Sequence, residues 1–118
     1  SARSSFEQWV RRAPDSPTAR FHLAEAQAMA GEPALARASL EQAIELAPGY
    51  VDARLGLVRL LTRMTELQAA NEQVTRLLAE HGQRRDVLAT AGWFQVLTGQ
   101  FAEGEKQLGR AIEIAEDS

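Results

Sequence analysis

An all-α protein made of helix pairs stacked side by side, an α-solenoid, is the fold class that the sequence predicts. Three observations carry this. Alanine, leucine, arginine and glutamate, all good helix formers, dominate the 118 residues, whereas β-branched residues are sparse and scattered. The chain is similar to itself at a step of 34 residues. Helix start and stop signals recur within each step. The hydrophobic share of 45% and the charged share of 25% are those of an ordinary globular chain.

The repeat is visible when LEQAIELAPGY (40–50) is laid over VTRLLAEHGQR (74–84) and LGRAIEIAEDS (108–118). Leu40 then falls on Val74 and Leu108, Ile44 on Leu78 and Ile112, and the small Ala36 on Ala70 and Gly104. Residues 1–16 read as the second helix of a preceding partial unit, with Phe6 under Leu40, Val10 under Ile44 and Pro14 under Pro48. Three full units follow, 17–50, 51–84 and 85–118, which makes about three and a half repeats.

In the unit 17–50, Ser16 caps a helix that Pro17 opens, since the N–H that proline lacks is unpaired at a first helical position anyway. Ala30-Gly31-Glu32-Pro33 ends that helix, and a second runs from about Ala34 to Leu46 before Pro48-Gly49 stops it. Leu40, Ala43, Ile44 and Ala47 give it an apolar stripe at three-and-four spacing. In the unit 51–84, His81-Gly82 predicts a left-handed helix end. The unit 85–118 turns at Thr98-Gly99-Gln100. A single pair cannot bury both its apolar faces, so each pair needs a neighbour. Phe6, Trp9 and Val10 are expected to cover the first full pair, while Leu108 and Ile112 have no polar helix after them. A segment of a longer array, whose open end can pair with another copy in isolation, is the expectation that follows.

These features resemble the tetratricopeptide repeat (TPR). Leu23-Ala24 and Ala91-Gly92 look like the large-small pair of its first helix, and Ala36, Leu40, Ala43 and Pro48 like its second-helix pattern. The resemblance covers essentially the whole chain. Gly82 and Glu116 stand where the closing proline would fall, Leu77 where a small residue is usual, and Trp9 in the corresponding slot of the leading half-unit. The resemblance implies a right-handed superhelix of antiparallel helix pairs, with first helices lining a groove, second helices forming the outer wall, and a non-catalytic role in binding another protein.

Charge is distributed accordingly. The net charge is −3. Segments 17–30, 51–64 and 84–97 carry Arg20, Arg54, Arg59, Arg63, Arg84 and Arg85 against Glu25, Asp52 and Asp86. Segments 32–47, 65–81 and 100–118 carry four cations against eleven anions. The implied groove is thus mildly basic and the outer wall acidic. Candidate partner-binding residues are Phe21, Glu25, Leu55, Arg59, Arg63, Trp93 and Leu97. Phe21, Leu55 and Ala89 share one repeat position, and Glu25, Arg59 and Trp93 lie one turn later. Arg59 and Arg63, one turn apart, suit an acidic peptide or a carboxylate, or else only solvate a helix surface. Trp93 with Leu97 offers an apolar anchor, or packs between helices. The lysine and asparagine clamp that some family members use for chaperone tails is missing, which disfavours that ligand.

Other chemistries find little support. With no cysteine there is no disulfide, thiolate metal site or cysteine nucleophile. His22 and Glu25, three residues apart, can face one metal, but His81 lies almost two units away, so a solvent-facing pair and no metal are expected. No catalytic residues, no cofactor and no phosphate-binding glycine loop are predicted. Nucleic-acid binding is disfavoured by the acidic total, and membrane insertion by arginine or glutamate breaking every apolar stretch. No signal peptide is seen, and a chain read as opening inside a repeat leaves room upstream for an export signal or an anchor.

The Ala/Arg-rich divergent repeats are also similar to periplasmic scaffolds of bacterial exopolysaccharide exporters of the Pel and cellulose type. That resemblance implies a periplasmic location and recruitment of a polysaccharide-modifying enzyme in biofilm-matrix secretion. A structural spacer between domains, or a cytoplasmic adaptor, is the alternative.

Overall fold

Two kinds of turn, each recurring every 34 residues, punctuate the chain in a computed structural model that describes residues 1–117. Between them lie seven α-helices, and the described residues include no strand. They are α1 (Ala2–Arg12), α2 (Pro17–Met29), α3 (Pro33–Leu46), α4 (Val51–Arg63), α5 (Leu67–His81), α6 (Arg85–Leu97) and α7 (Phe101–Glu116). The all-α repeat expected from the sequence is what is found. Ser118, the final position of the expected unit 85–118, lies outside the described residues.

The first kind of turn follows α2, α4 and α6. Gly31, Thr65 and Gly99 adopt φ of 76°, 58° and 86°, the left-handed conformation that ends a helix. The next N–H, of Glu32, Glu66 and Gln100, reaches back to the carbonyl of Gln27, Leu61 and Gln95 at 2.9, 2.9 and 2.7 Å. The chain thereby reverses at once into the following helix.

The second kind follows α1, α3 and α5. The N–H of Ser16, Tyr50 and Arg84 donates to the carbonyl of Ala13, Ala47 and His81 at 3.0, 3.0 and 3.1 Å. Pro14, Pro48 and Gly82 occupy the place after that carbonyl, where the turn wants negative φ and proline fits. Gly82 is therefore not left-handed, contrary to expectation: positive φ is confined among the described residues to Gly31, Thr65 and Gly99. The carbonyls of Pro14, Pro48 and Gly82 each accept from an arginine. Arg20 Nε and Nη2 donate to Pro14 at 3.2 and 3.1 Å, Arg54 Nε to Pro48 at 2.7 Å, and Arg110 Nη2 to Gly82 at 3.1 Å.

Two compact units make up the chain, Ser1–Glu66 and Leu67–Ser118. In the first, Ser16 accepts from the Ala19 N–H at 3.1 Å and Pro17 opens α2. Ala19, Leu23 and Ala24 of α2 and Ala36, Leu40 and Ala43 of α3 are buried, the small residues allowing close approach. Ser39 donates to Gln27 Oε1 at 2.7 Å, satisfying a buried polar pair across these helices. α1 buries no residue of its own. It is joined to α2 by rings instead: His22 stacks on Phe6 and Trp9, with centroids 5.7 and 5.9 Å apart.

In the second unit, α6 and α7 approach through glycines. A Cβ on Gly92 would lie 2.6 Å from Leu108 Cγ, and one on Gly104 would lie 2.6 Å from Val96 Cγ2. Phe94, Leu88, Val87, Leu77 and Val74 fill this core. Gln95 and Gln107, which are 7% and 5% exposed, stand two repeats on from Gln27 and Ser39, but each keeps a buried Oε1 that finds no donor among the described residues.

Candidate functional site

A cleft of about 230 Å³ opens on the first unit. Phe21, Ala24, Glu25, Ala28 and Met29 of α2 line it, with Leu40 of α3 and Gly56, Arg59, Leu60 and Arg63 of α4. Their spacing of three and four residues puts each set on one helix face. Gly56 sets the depth: a Cβ there would touch Leu40 Cδ2 at 3.6 Å and Phe21 Cε1 at 3.7 Å, so its absence leaves the floor open. Phe21 is held by tilted contacts to Tyr50 and His22, at 5.4 and 5.2 Å between centroids. Met29 is 89% exposed and offers a flexible, polarizable rim.

The rim carries the charge. Arg59 and Arg63 stand on successive turns of α4, and neither forms an ion pair or side-chain hydrogen bond among the described residues. Glu25 is engaged on its outer side, where Oε1 lies 2.9 Å from His22 Nδ1. An apolar floor edged by two available guanidinium groups can take an apolar side chain together with a neighbouring carboxylate.

Phe21, Glu25, Arg59 and Arg63 are thus brought together as candidates. Leu55 is not among them: it is 3% exposed and belongs to the core. The shorter aliphatic side chain is covered at the register where the Phe21 ring still reaches the cleft. Trp93 and Leu97 lie on α6 in the second unit, exposed to 38% and 59%. Two arginines assigned to a basic groove serve the backbone instead. Arg54 is 2% exposed and donates to Pro48, and Arg20 holds Pro14 and the Gln42 side chain. His22 does not simply face solvent, because its ring is stacked on α1. Sequence reasoning missed Met29, Gly56 and Leu60. Met29 continues the Phe21/Glu25 stripe by one turn, and a glycine inside a helix of good helix formers marks a place where bulk is avoided.

Elsewhere the charges serve local order. The Arg84 guanidinium, donating to Asp86 at 3.0 and 2.7 Å, holds the Asp86 carboxyl below its ordinary range against a smaller opposing effect of burial. Among the described residues no group of three or more histidine, aspartate or glutamate side chains is placed to hold a metal. No helix among them is long and apolar enough to cross a membrane.

Left-handed helix ends alternating with carbonyl-capped turns, at a constant period, define a protein of tandem helical hairpins, with a cleft between the first helices α2 and α4. The chain belongs to the tetratricopeptide repeat family, whose model matches residues 28–89, just over half of it. This is a family of protein-interaction scaffolds. Solved structures agree in fold. A crystal structure of MamA superposes with a TM-score of 0.83 at 24% identity, over 98% of this chain and 67% of that one. MamA (41-end) from Desulfovibrio magneticus RS-1 gives 0.79 at 15%, over 98% and 66%. YrrB, described as a TPR protein with an unusual peptide-binding site, gives 0.79 at 22%, over 98% and 59%. The chain therefore spans about three fifths to two thirds of these structures. No curated protein sequence matches it significantly.

Proposed function

We propose that this chain is a non-catalytic scaffold whose cleft between α2 and α4 seats a segment of a partner protein bearing an apolar side chain beside an acidic one. The observation that carries this is the unpaired Arg59 and Arg63 at the edge of an apolar floor built on Phe21, Leu40 and Leu60. Family membership supports it, and so does the peptide-binding site ascribed to YrrB. Fluorescence anisotropy with a labelled peptide carrying one leucine flanked by aspartates tests it. Arg59→Glu is expected to weaken binding at least about tenfold, because one attraction is lost and one repulsion gained. Binding that Arg59→Glu and Met29→Ala both leave unchanged would move the docking surface elsewhere.

For the setting, we propose the periplasm and a polysaccharide-modifying enzyme as partner, a reading supported by the Ala/Arg-rich repeats. Fractionation of cells expressing the parent protein decides the compartment, and recovery with cytosolic markers overturns this part.

A further inference from the structure

Inside a helix glycine is a poor choice beside alanine unless the backbone or the packing requires it. Gly56 stands in the interior of α4, and neither requirement holds there. Its φ is not positive, that conformation being confined among the described glycines to Gly31 and Gly99. A Cβ on it would meet Leu40 Cδ2, Phe21 Cε1 and Leu40 Cδ1 at 3.6, 3.7 and 3.9 Å, which are ordinary contact distances between carbon atoms. Gly92 and Gly104 differ, because there a Cβ would fall 2.6 Å from a neighbour. The repeat makes no demand either, since the same register holds His22 and Thr90.

What glycine does at this place is keep a gap open. The atoms nearest to the absent Cβ belong to side chains that line the cleft, and Leu60 lines it one turn further along α4. Contacts to Tyr50 and His22 hold the Phe21 ring, which makes it a fixed wall. At about 230 Å³ the cleft is smaller than the roughly 300–1,000 Å³ of sites that enclose a whole small molecule, and larger than the roughly 150 Å³ of an apolar cavity that takes up one benzene ring. It has room for one large side chain. We propose that Gly56 determines the specificity of the cleft: it keeps space for one large apolar side chain of the partner, of leucine or phenylalanine size, and the cleft thereby discriminates against segments that offer alanine at that place. The inference rests on the docking reading above and names the side-chain class that the same site selects. Leucine exceeds alanine by three carbons, a difference of about fiftyfold in affinity when wholly buried, and about tenfold in a cleft open on one side. A methyl group at position 56 would occupy the inner end of the gap and push a large ligand side chain outward, while an alanine ligand does not reach so far.

Fluorescence anisotropy with labelled peptides that carry alanine, leucine or phenylalanine between two aspartates tests the selection. The wild type should bind the leucine and phenylalanine peptides about tenfold more tightly than the alanine peptide. Gly56→Ala should weaken the two large peptides about fivefold or more and leave the alanine peptide within about twofold. The same variant should melt about 3–6 °C higher, because alanine is the better helix former. Stability gained together with affinity lost separates a ligand site from a structural glycine. Gly109→Ala, in α7 where a Cβ would meet nothing within 4 Å, should gain stability too and bind all three peptides as the wild type does. Equal affinity of the wild type for the three peptides overturns the selection, as does a Gly56→Ala variant that binds the large peptides unchanged or weakens all three alike. A lower Tm in Gly56→Ala also overturns it, since packing would then account for the glycine. If Arg59→Glu still weakens binding in any of these cases, the docking site stands without the selection. Absence of binding of every peptide to the wild type removes both.

Discussion

Thr65 sits at φ 58°, where Gly31 and Gly99 serve in the neighbouring repeats. A side chain with a Cβ is disfavoured in this region by about 1–2 kcal/mol, and glycine is not. Its hydroxyl recovers part of this by donating to the Met64 carbonyl at 2.6 Å. Thr65→Gly is expected to raise stability by about 0.5–1 kcal/mol, after allowing for the greater freedom of glycine in the unfolded chain. Urea denaturation measures it, and an unchanged or lower midpoint would show that the hydroxyl outweighs the backbone strain. At this scale the sequence is partly legible. Gly31 and Gly99 announce their turns, whereas threonine at the same register carries no local signal for positive φ. Gly82 misleads in the opposite sense, because a glycine permits left-handed geometry without requiring it.

Within elements, spacing did most of the work. Phe21, Glu25, Arg59 and Arg63 share a cleft because period 3.6 fixes which residues point the same way. Periodicity does not say how far a side chain extends, nor whether an arginine turns toward solvent or back to a carbonyl, and so it places Leu55, Arg20 and Arg54 in a groove that they do not line. The α6/α7 pair shows the opposite dependence, on what is missing. Gly92 and Gly104 leave no room for a side chain between the helices, with the Gly92 and Gly104 carbonyl oxygens themselves 3.1 Å from the other's hypothetical Cβ. Gly92→Val is expected to lower stability by about 2–3 kcal/mol through overpacking. Circular dichroism during thermal melting reads this as a fall in Tm, and a neutral result would mean that α7 can slide away without loss.

Across the whole molecule, stability is unevenly distributed. α1 contributes no buried residue, whereas α4 and α6 carry long buried stripes, including Val58, Leu61, Leu88 and Phe94. Repeat arrays hold together through nearest neighbours, so regions of low burial open independently of the rest. Amide hydrogen exchange should show α1 exchanging first, and the centres of α4 and α6 last; uniform protection over all seven helices would contradict this. The fold class was readable because repetition multiplies a weak local pattern. The cleft was readable where helix period alone decides which residues share a face, and not where the reach of a side chain decides whether it stays open, as at Leu55.

The arginine contacts at Pro14, Pro48 and Gly82 bear on how such repeats are recognised. The acceptor is a main-chain oxygen, which any amino acid supplies, so the side chain at the boundary can change without dissolving the joint. The donor comes from six residues downstream in two cases and twenty-eight in the third. A search keyed to the boundary proline therefore passes over units of this kind, whereas one that allows a guanidinium at either distance would count them.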